Sequence, residues 1–286
     1  MNTSWMHGRR WMVLVAVLVM GGGASHAASD GREATAPEPG RTAQPALPKP
    51  QVKTIGIIGG VSWVSSIEYY RLMNEMFRDQ LGGLHSAQIL MFSIEFDDFA
   101  RQERLADRGD WVPLTATMID AAQRLKQGGA EFIVIASNTL NSQAGIIEAT
   151  VGIPVLHIAD ATGDAVLERG EHTVALLGTK YTMEQPFYRE RLEKRGLKVV
   201  TPNAKERDYI NTVIFDELCR GRIEPESRKH FVQIINRLVK EEGAEGVILG
   251  CTEIPLLVKS GDVSIPVFDT TAIHAAAAVK RSLNPK

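Results

Sequence analysis

Gly129-Ala130-Glu131-Phe132-Ile133-Val134-Ile135-Ala136-Ser137-Asn138-Thr139 decides the reading of this chain, because Gly243-Ala244-Glu245-Gly246-Val247-Ile248-Leu249-Gly250-Cys251-Thr252-Glu253 repeats it without a gap. Each copy is a small-residue turn, a short apolar run and a cluster of small polar side chains. A short apolar run bounded by turn residues suits a strand buried on both faces. The polar cluster then falls at the carboxyl end of a strand, where open α/β sheets bind ligands. Ser137 is the counterpart of Cys251, so two related halves facing each other would set these side chains across one cleft.

Working outward, the same kind of strand recurs. Thr54–Gly59 opens the pattern and Thr173–Gly178 opens it again; Ile153-Pro154-Val155-Leu156 is matched by Ile265-Pro266-Val267-Phe268. The pairs are separated by 119 (Thr54 to Thr173), 114 (Gly129 to Gly243) and 112 (Ile153 to Ile265) residues, a drifting offset that fits a duplication with altered loops. Helical spacing fills the gaps. Ile67, Tyr70, Met73, Met76 and Phe77 predict a helix over 62–80 capped by Ser62, and further helices are expected over 114–127, 184–195, 209–219, 227–241 and 270–282. Alternating strands and helices predict an α/β fold of two pseudo-symmetric half-domains, each a parallel sheet flanked by helices, with the site in the cleft between them. The halves are expected over 53–160 and 161–270, with a closing helix over 271–286 packing back on the first.

The segments before the body have a different character. Arg9-Arg10, the apolar run Trp11–Met20 and Ser25-His26-Ala27 predict a signal peptide over 1–27, with the twin-arginine route open, and hence a periplasmic or secreted protein. Residues 28–52, rich in Ala, Pro and Gly, read as a flexible tether. With 286 residues, a net charge of −2 and 44% hydrophobic residues, the chain offers no electrostatic case for nucleic acid or for a membrane surface in the mature form.

The chemistry follows from the strand ends. A thiol can move a proton near neutral pH when its surroundings tune it, and loops running into helices offer unpaired N–H groups to a carboxylate. Gly59-Gly60-Val61-Ser62 is a third such turn, but its glycines do not complete a dinucleotide fingerprint. The seven histidines show no metal-ligand spacing, so no metal is expected, and His157 and His274 read as structural. Cys219 reads as a packed residue, with a disulfide to Cys251 as the rival in an oxidising compartment. The charged run Glu103, Arg104, Asp107, Arg108 and Asp110 reads as a solvated loop face, with a lid as the alternative, and Trp63 and Trp111 as core or cleft-rim aromatics.

Several stretches together resemble the aspartate/glutamate racemase family: Ile55–Trp63, Gly82–Gln88, Ser137-Asn138-Thr139, His157–Thr162, Leu176–Glu184 and Gly250-Cys251-Thr252-Glu253-Ile254. The resemblance covers residues 53–283. It implies racemisation of an acidic amino acid without pyridoxal phosphate or another cofactor, with the residue before Asn-Thr and the cysteine of Gly-Cys-Thr-Glu as paired acid/base groups. These are Ser137 and Cys251, the pair the internal repeat selects. Serine stands where the family usually has cysteine, or threonine in a branch that prefers L-aspartate or L-glutamate; Asn141 stands where histidine is frequent. The resemblance places Val61, Ser62, Gln102, Asn138, Thr139, Thr252 and Glu253 around the substrate, with Asn138 and Thr139 on its α-carboxylate. Lys180 is a candidate carboxylate partner by charge, and a homodimer is implied. Two other readings stay open: an amino-acid-binding protein without catalysis, and a hydrolase or lyase with Cys251 as nucleophile.

Overall fold

The structure, a computed structural model, describes residues 51–106 and 108–284. The expected signal peptide and most of the tether lie outside them. In chain order the elements are β1 (Ile55–Gly59), α1 (Trp63–Leu81), β2 (Ile89–Ser93), α2 (Phe96–Ala106), α3 (Val112–Gln127), β3 (Phe132–Ile135), α4 (Ala144–Val151), β4 (Val155–Leu156) and α5 (Ile158–Glu168). They continue as β5 (Thr173–Gly178), α6 (Lys180–Glu184), α7 (Pro186–Glu193), β6 (Lys198–Val200), α8 (Ala204–Asp216), α9 (Pro225–Glu242), β7 (Gly246–Gly250), α10 (Ile254–Leu257), β8 (Val267–Asp269) and α11 (Thr270–Leu283).

Two parallel sheets result, ordered β2-β1-β3-β4 and β6-β5-β7-β8. The α/β class and the pseudo-symmetry expected from the repeat both hold: β1 corresponds to β5 and β3 to β7, and each pair sits at the centre of its sheet. The Gly-Ala-Glu turn has a mechanical reason in each half. Glu131 Oε2 accepts from the Thr54 backbone N–H at 2.7 Å, and Glu245 Oε2 accepts from those of His172 and Thr173 at 2.7 and 2.8 Å. The turn glutamate thus ties the central strand to the start of its neighbour and fixes their register.

The cover of each sheet is exchanged between the halves. Ala275, Ala278 and Val279 of α11 pack into the core of β1, β3 and α1, beside Ile55, Tyr69, Phe77 and Val134. Lys53 N–H donates to the Ser282 carbonyl at 3.0 Å, pinning the helix end to the start of the body. Likewise Ile158, Ala159 and Val166 of α5 belong to the core under β5 and β7, and Asp160 pairs with Arg191 and Arg195 at 2.7 and 2.8 Å. From Ile158 onward α5 thus packs in the second core, and α11, which begins at Thr270, packs in the first.

Three expectations about elements need correction. The helix expected over 184–195 is α7, which starts at Pro186 and ends at Glu193; Glu184 closes the separate short α6, which Pro186, lacking a backbone N–H, does not continue. The charged run that opens with Glu103 and Arg104, read as a solvated loop face, begins inside α2, a helix anchored by fully buried Phe99. In α1 the inward stripe is Ser65, Ser66, Tyr69, Met73 and Phe77, so Ile67 and Tyr70, taken as core from spacing, are exposed.

Candidate active site

Three strand ends build the site. After β1 the chain must turn sharply at Gly60, whose φ is +93° and where a Cβ would stand 2.2 Å from the Ile94 carbonyl oxygen; only glycine fits. The Gly60 N–H donates to Ser66 Oγ at 2.8 Å, and Ser65 Oγ donates to the Ser62 and Ala136 carbonyls at 2.9 and 3.2 Å. These serines fasten the Val61-Ser62 turn to α1 and to the end of β3. Ser62 precedes α1, but its hydroxyl makes no cap bond to the helix. It points across the molecule instead.

After β3 the chain enters Ser137-Asn138-Thr139 and a short 3₁₀ turn over Thr139–Gln143. The loop is braced by buried Asn141, whose Nδ2 donates to the Ser137 carbonyl at 2.7 Å and whose Oδ1 accepts from the Ile158 N–H at 3.0 Å. Ser137 Oγ itself accepts only a long bond, 3.4 Å, from the Leu140 N–H. Asn138 Nδ2 donates to Thr270 Oγ1 at 3.0 Å, while Asn138 Oδ1 is one of two buried side-chain polar atoms without a partner among the described residues. The other is Thr271 Oγ1. Thr139 Oγ1 meets the hydroxyls of Thr179 and Thr182 at 3.1 and 3.2 Å, a cluster joining the two halves.

After β7, Gly250 lies in register with Gly178, and a Cβ on Gly178 would be 2.7 Å from the Gly250 carbonyl oxygen. This close approach delivers Cys251, Thr252 and Glu253 to the cleft. The buried Glu253 carboxylate accepts from Ser62 Oγ at 3.2 Å through Oε1, and from Cys251 Sγ at 3.2 Å and Thr252 Oγ1 at 2.6 Å through Oε2. Burial pushes the Cys251 thiol well above its ordinary range, and the neighbouring Glu253 charge pushes it further. Cys251 is therefore protonated at neutral pH in this state.

One cleft collects these groups: Val61, Ser62, Ser137, Asn138, Thr139, Cys251, Thr252 and Glu253 line it. Phe96 and Glu103 of α2, Thr179, Ile214 and Phe215 of α8, and Cys219 complete the wall. Glu103 and Cys219 correct the sequence reading. Glu103 is part of a helix facing the cleft, not of a solvated loop. Cys219 is exposed at the cleft rather than packed in a core, and both cysteines are free. Thr179 was within reach of sequence reasoning, since it follows β5 as Gly60 follows β1.

Two expected contacts are directed elsewhere. Gln102 Oε1 accepts from Thr117 Oγ1 at 2.8 Å, turned toward α3, and Lys180 is exposed with Nζ 2.6 Å from Asp208 Oδ1. Neither lines the cleft. Nor do Trp63 and Trp111: Trp63 is exposed, and Trp111 leans on Tyr181 with ring centroids 5.4 Å apart. Among the described residues no group of three His, Cys, Asp or Glu side chains could hold a metal ion, and no helix is long and apolar enough to cross a membrane. His157 and His274 serve the scaffold. His157 Nδ1 accepts from the Ala159 N–H at 3.1 Å and caps α5, and His274 joins Tyr69 Oη at 2.9 Å to the Leu156 carbonyl at 2.8 Å.

Comparison with known proteins finds the same fold of two parallel sheets flanked by helices. Residues 58–278 match the Asp/Glu/hydantoin racemase family, and the chain belongs to that family; the enzyme class expected from the sequence, a racemase, holds. It is 48% identical to a Yersinia pestis protein of solved structure, provisionally assigned as an Asp/Glu racemase, with TM-score 0.75 over 81% of this chain and 100% of that one. An aspartate racemase homologue from Pyrococcus horikoshii is 37% identical, with TM-score 0.71 over 80% of this chain and 99% of that one. The broad specificity amino-acid racemase RacX of Bacillus subtilis is 25% identical over 181 residues, 62% of this chain and 77% of that one.

Proposed function

We propose that this racemase exchanges the α-proton of a free amino acid, with Cys251 as acid/base on one face and Ser137 as the weaker partner on the other. The observation that carries this reading is that the two counterparts of the sequence repeat line one cleft, a thiol from β7 and a hydroxyl from β3. Racemisation needs one group to remove the proton and another to return it from the opposite side. The unpartnered Asn138 Oδ1 supplies an acceptor for the substrate's α-ammonium, which moves this residue from the α-carboxylate to the amino group. The backbone N–H groups of the two polar loops are left for the α-carboxylate.

L-Aspartate and L-glutamate are the substrates the sequence resemblance implies. The lining favours a second reading of the side-chain end. A dicarboxylate would add negative charge beside Glu103 and Glu253, and no Lys, Arg or His is among the lining residues. A neutral side chain against Phe96, Ile214 and Phe215 avoids that repulsion, in keeping with the breadth of the Bacillus subtilis relative. The test is proton NMR in D₂O with both enantiomers of aspartate, glutamate and a panel of neutral amino acids. Loss of the α-proton signal with at least one amino acid is expected. Saturable binding without exchange would support the binding-protein reading, and appearance of a new product the hydrolase or lyase reading.

A further inference from the structure

Resting on the racemase reading, we propose that Glu253 is the proton acceptor of the Cys251 thiol, so that the two side chains act as one acid/base unit whose active base forms only when Glu253 takes the thiol proton. The geometry on which this rests is a chain of donors ending on one buried carboxylate. Cys251 Sγ lies 3.2 Å from Glu253 Oε2, the same oxygen that accepts from Thr252 Oγ1, while Ser62 Oγ holds Oε1 from the other half of the molecule. With both oxygens held, the carboxylate is aimed at the sulfur. A thiol must be deprotonated before it can abstract a proton, and among the residues lining the cleft there is no histidine or lysine to do it. The titratable groups that share the lining with Cys251 are Glu253, Glu103 of α2 and Cys219, and of these Glu253 is in hydrogen-bond contact with the thiol.

The proton balance is complete. The thiol proton moves from Sγ to Oε2, leaving a thiolate and a neutral Glu253. The thiolate takes the α-proton, the Cα–H electron pair stays on the substrate as a carbanion stabilised beside its carboxyl group, and Cys251 is a thiol again. Ser137 then donates its hydroxyl proton to the opposite face and recovers one from water, while Glu253 loses its proton to water. Placing a carboxylate beside the thiol has a second consequence: its charge opposes free thiolate, adding to the burial that chiefly raises the Cys251 thiol. Glu253 therefore keeps the cysteine protonated and unreactive in the open cleft, yet supplies the acceptor when substrate is bound.

These two effects predict opposite results for one substitution. In Glu253→Gln, alkylation of Cys251 by iodoacetamide at pH 8, read by site-resolved mass spectrometry to separate it from Cys219, should be faster than in the parent. Exchange of the α-proton should nevertheless fall about 100-fold in kcat, the range of a lost acid/base group, with KM changed by less than about threefold. Glu253→Asp should recover part of the rate and move the acid limb of the kcat–pH profile; it also serves if the glutamine variant does not fold. Faster alkylation with equal or faster exchange would overturn the proposal, leaving Glu253 as a charge that merely suppresses the thiolate. So would a raised KM with unchanged kcat, the mark of a substrate ligand. Absence of exchange in the parent with every amino acid tested would overturn the racemase reading and the inference with it, a result read before any variant is compared.

Discussion

The loops after β3 and β7 have the same backbone plan and different chemistry. Both follow a central strand, both begin with a small nucleophilic side chain and both line the cleft. Two residues past that side chain, one loop carries Thr139 in a cluster of hydroxyls with Thr179 and Thr182, and the other carries Glu253 in contact with the thiol. Four residues past it, Asn141 braces the first loop through the Ser137 carbonyl, while the second has Pro255 at the start of α10. The duplicated scaffold thus delivers two groups to one place, and local substitutions decide what each can do. The β3 side is rigidly held but chemically weak. The β7 side sets a thiol against a buried carboxylate.

The largest expected effect comes from removing the stronger side. Cys251→Ala should lower α-proton exchange by about 10³-fold with either enantiomer, toward the upper end for a lost acid/base group, while thermal unfolding shifts little. Retained exchange in D₂O would mean that the β7 loop is not the catalytic one and that the contrast between the loops is only structural.

A second expectation concerns a region where the halves are alike. Each sheet is closed by a helix donated from beyond the other sheet, and each such helix brings a buried histidine. His157 is pushed down to about 3, first by burial and then by the Arg191 charge, and His274 down to about 4 by burial. Both are neutral in the folded state, and in the unfolded chain they protonate near pH 6.5. The unfolded state then binds more protons as pH falls through 6.5 toward 4, so stability is lost in that window. Each histidine should cost about 2 kcal/mol by pH 5 relative to neutral pH. Denaturant melts at pH 7 and 5 measure this, and His274→Gln should flatten the difference by roughly half. A pH-independent melt would show that the closing helices are not clamped by neutral imidazoles.

What could be read in advance, and what could not, follows from the range of the interactions involved. The eleven-residue repeat exposed both central strands and the Ser137–Cys251 pair, because a buried parallel strand and its polar tip are written locally. The helix α2 escaped because Phe96–Ala106 is mostly polar and sinks only Phe99 and Ala106. The helix α5 escaped because Ala161, Thr162 and Gly163, small residues without an apolar stripe, form part of its buried face. Side-chain direction is harder still. Gln102 and Glu103 are neighbours on one helix, yet the first turns to Thr117 and the second to the cleft. Cys219 reaches the cleft because the turn between α8 and α9 folds over α10, a contact between segments far apart in sequence.

Making the loops alike gives the third test. Ser137→Cys places a thiol on the β3 side, where the proposed mechanism relies on a far less acidic hydroxyl. Exchange of the enantiomer served by that face should rise about tenfold, less than a full acid/base group provides because Thr139 stands where the other loop has its carboxylate. A gain as large as the loss in Cys251→Ala would show that the neighbouring carboxylate is dispensable. No gain at all would show that Ser137 is misdirected for proton transfer.

The smallest effect is expected outside the cleft, at the residue chosen by charge alone. Lys180 lies at the start of α6, half exposed, with its ammonium group paired to Asp208 and its backbone N–H bound to Asn211. The first bond uses only the side chain, and the second survives truncation. Exposed pairs of this kind contribute little because water screens the charges and holding two long side chains costs entropy. Lys180→Ala should therefore leave kcat/KM for α-proton exchange within about twofold of the parent. A tenfold rise in KM confined to aspartate and glutamate would mean that Lys180 leaves Asp208 and swings into the cleft when a second carboxylate arrives. It would supply the cation missing from the lining and restore the acidic substrates to first place.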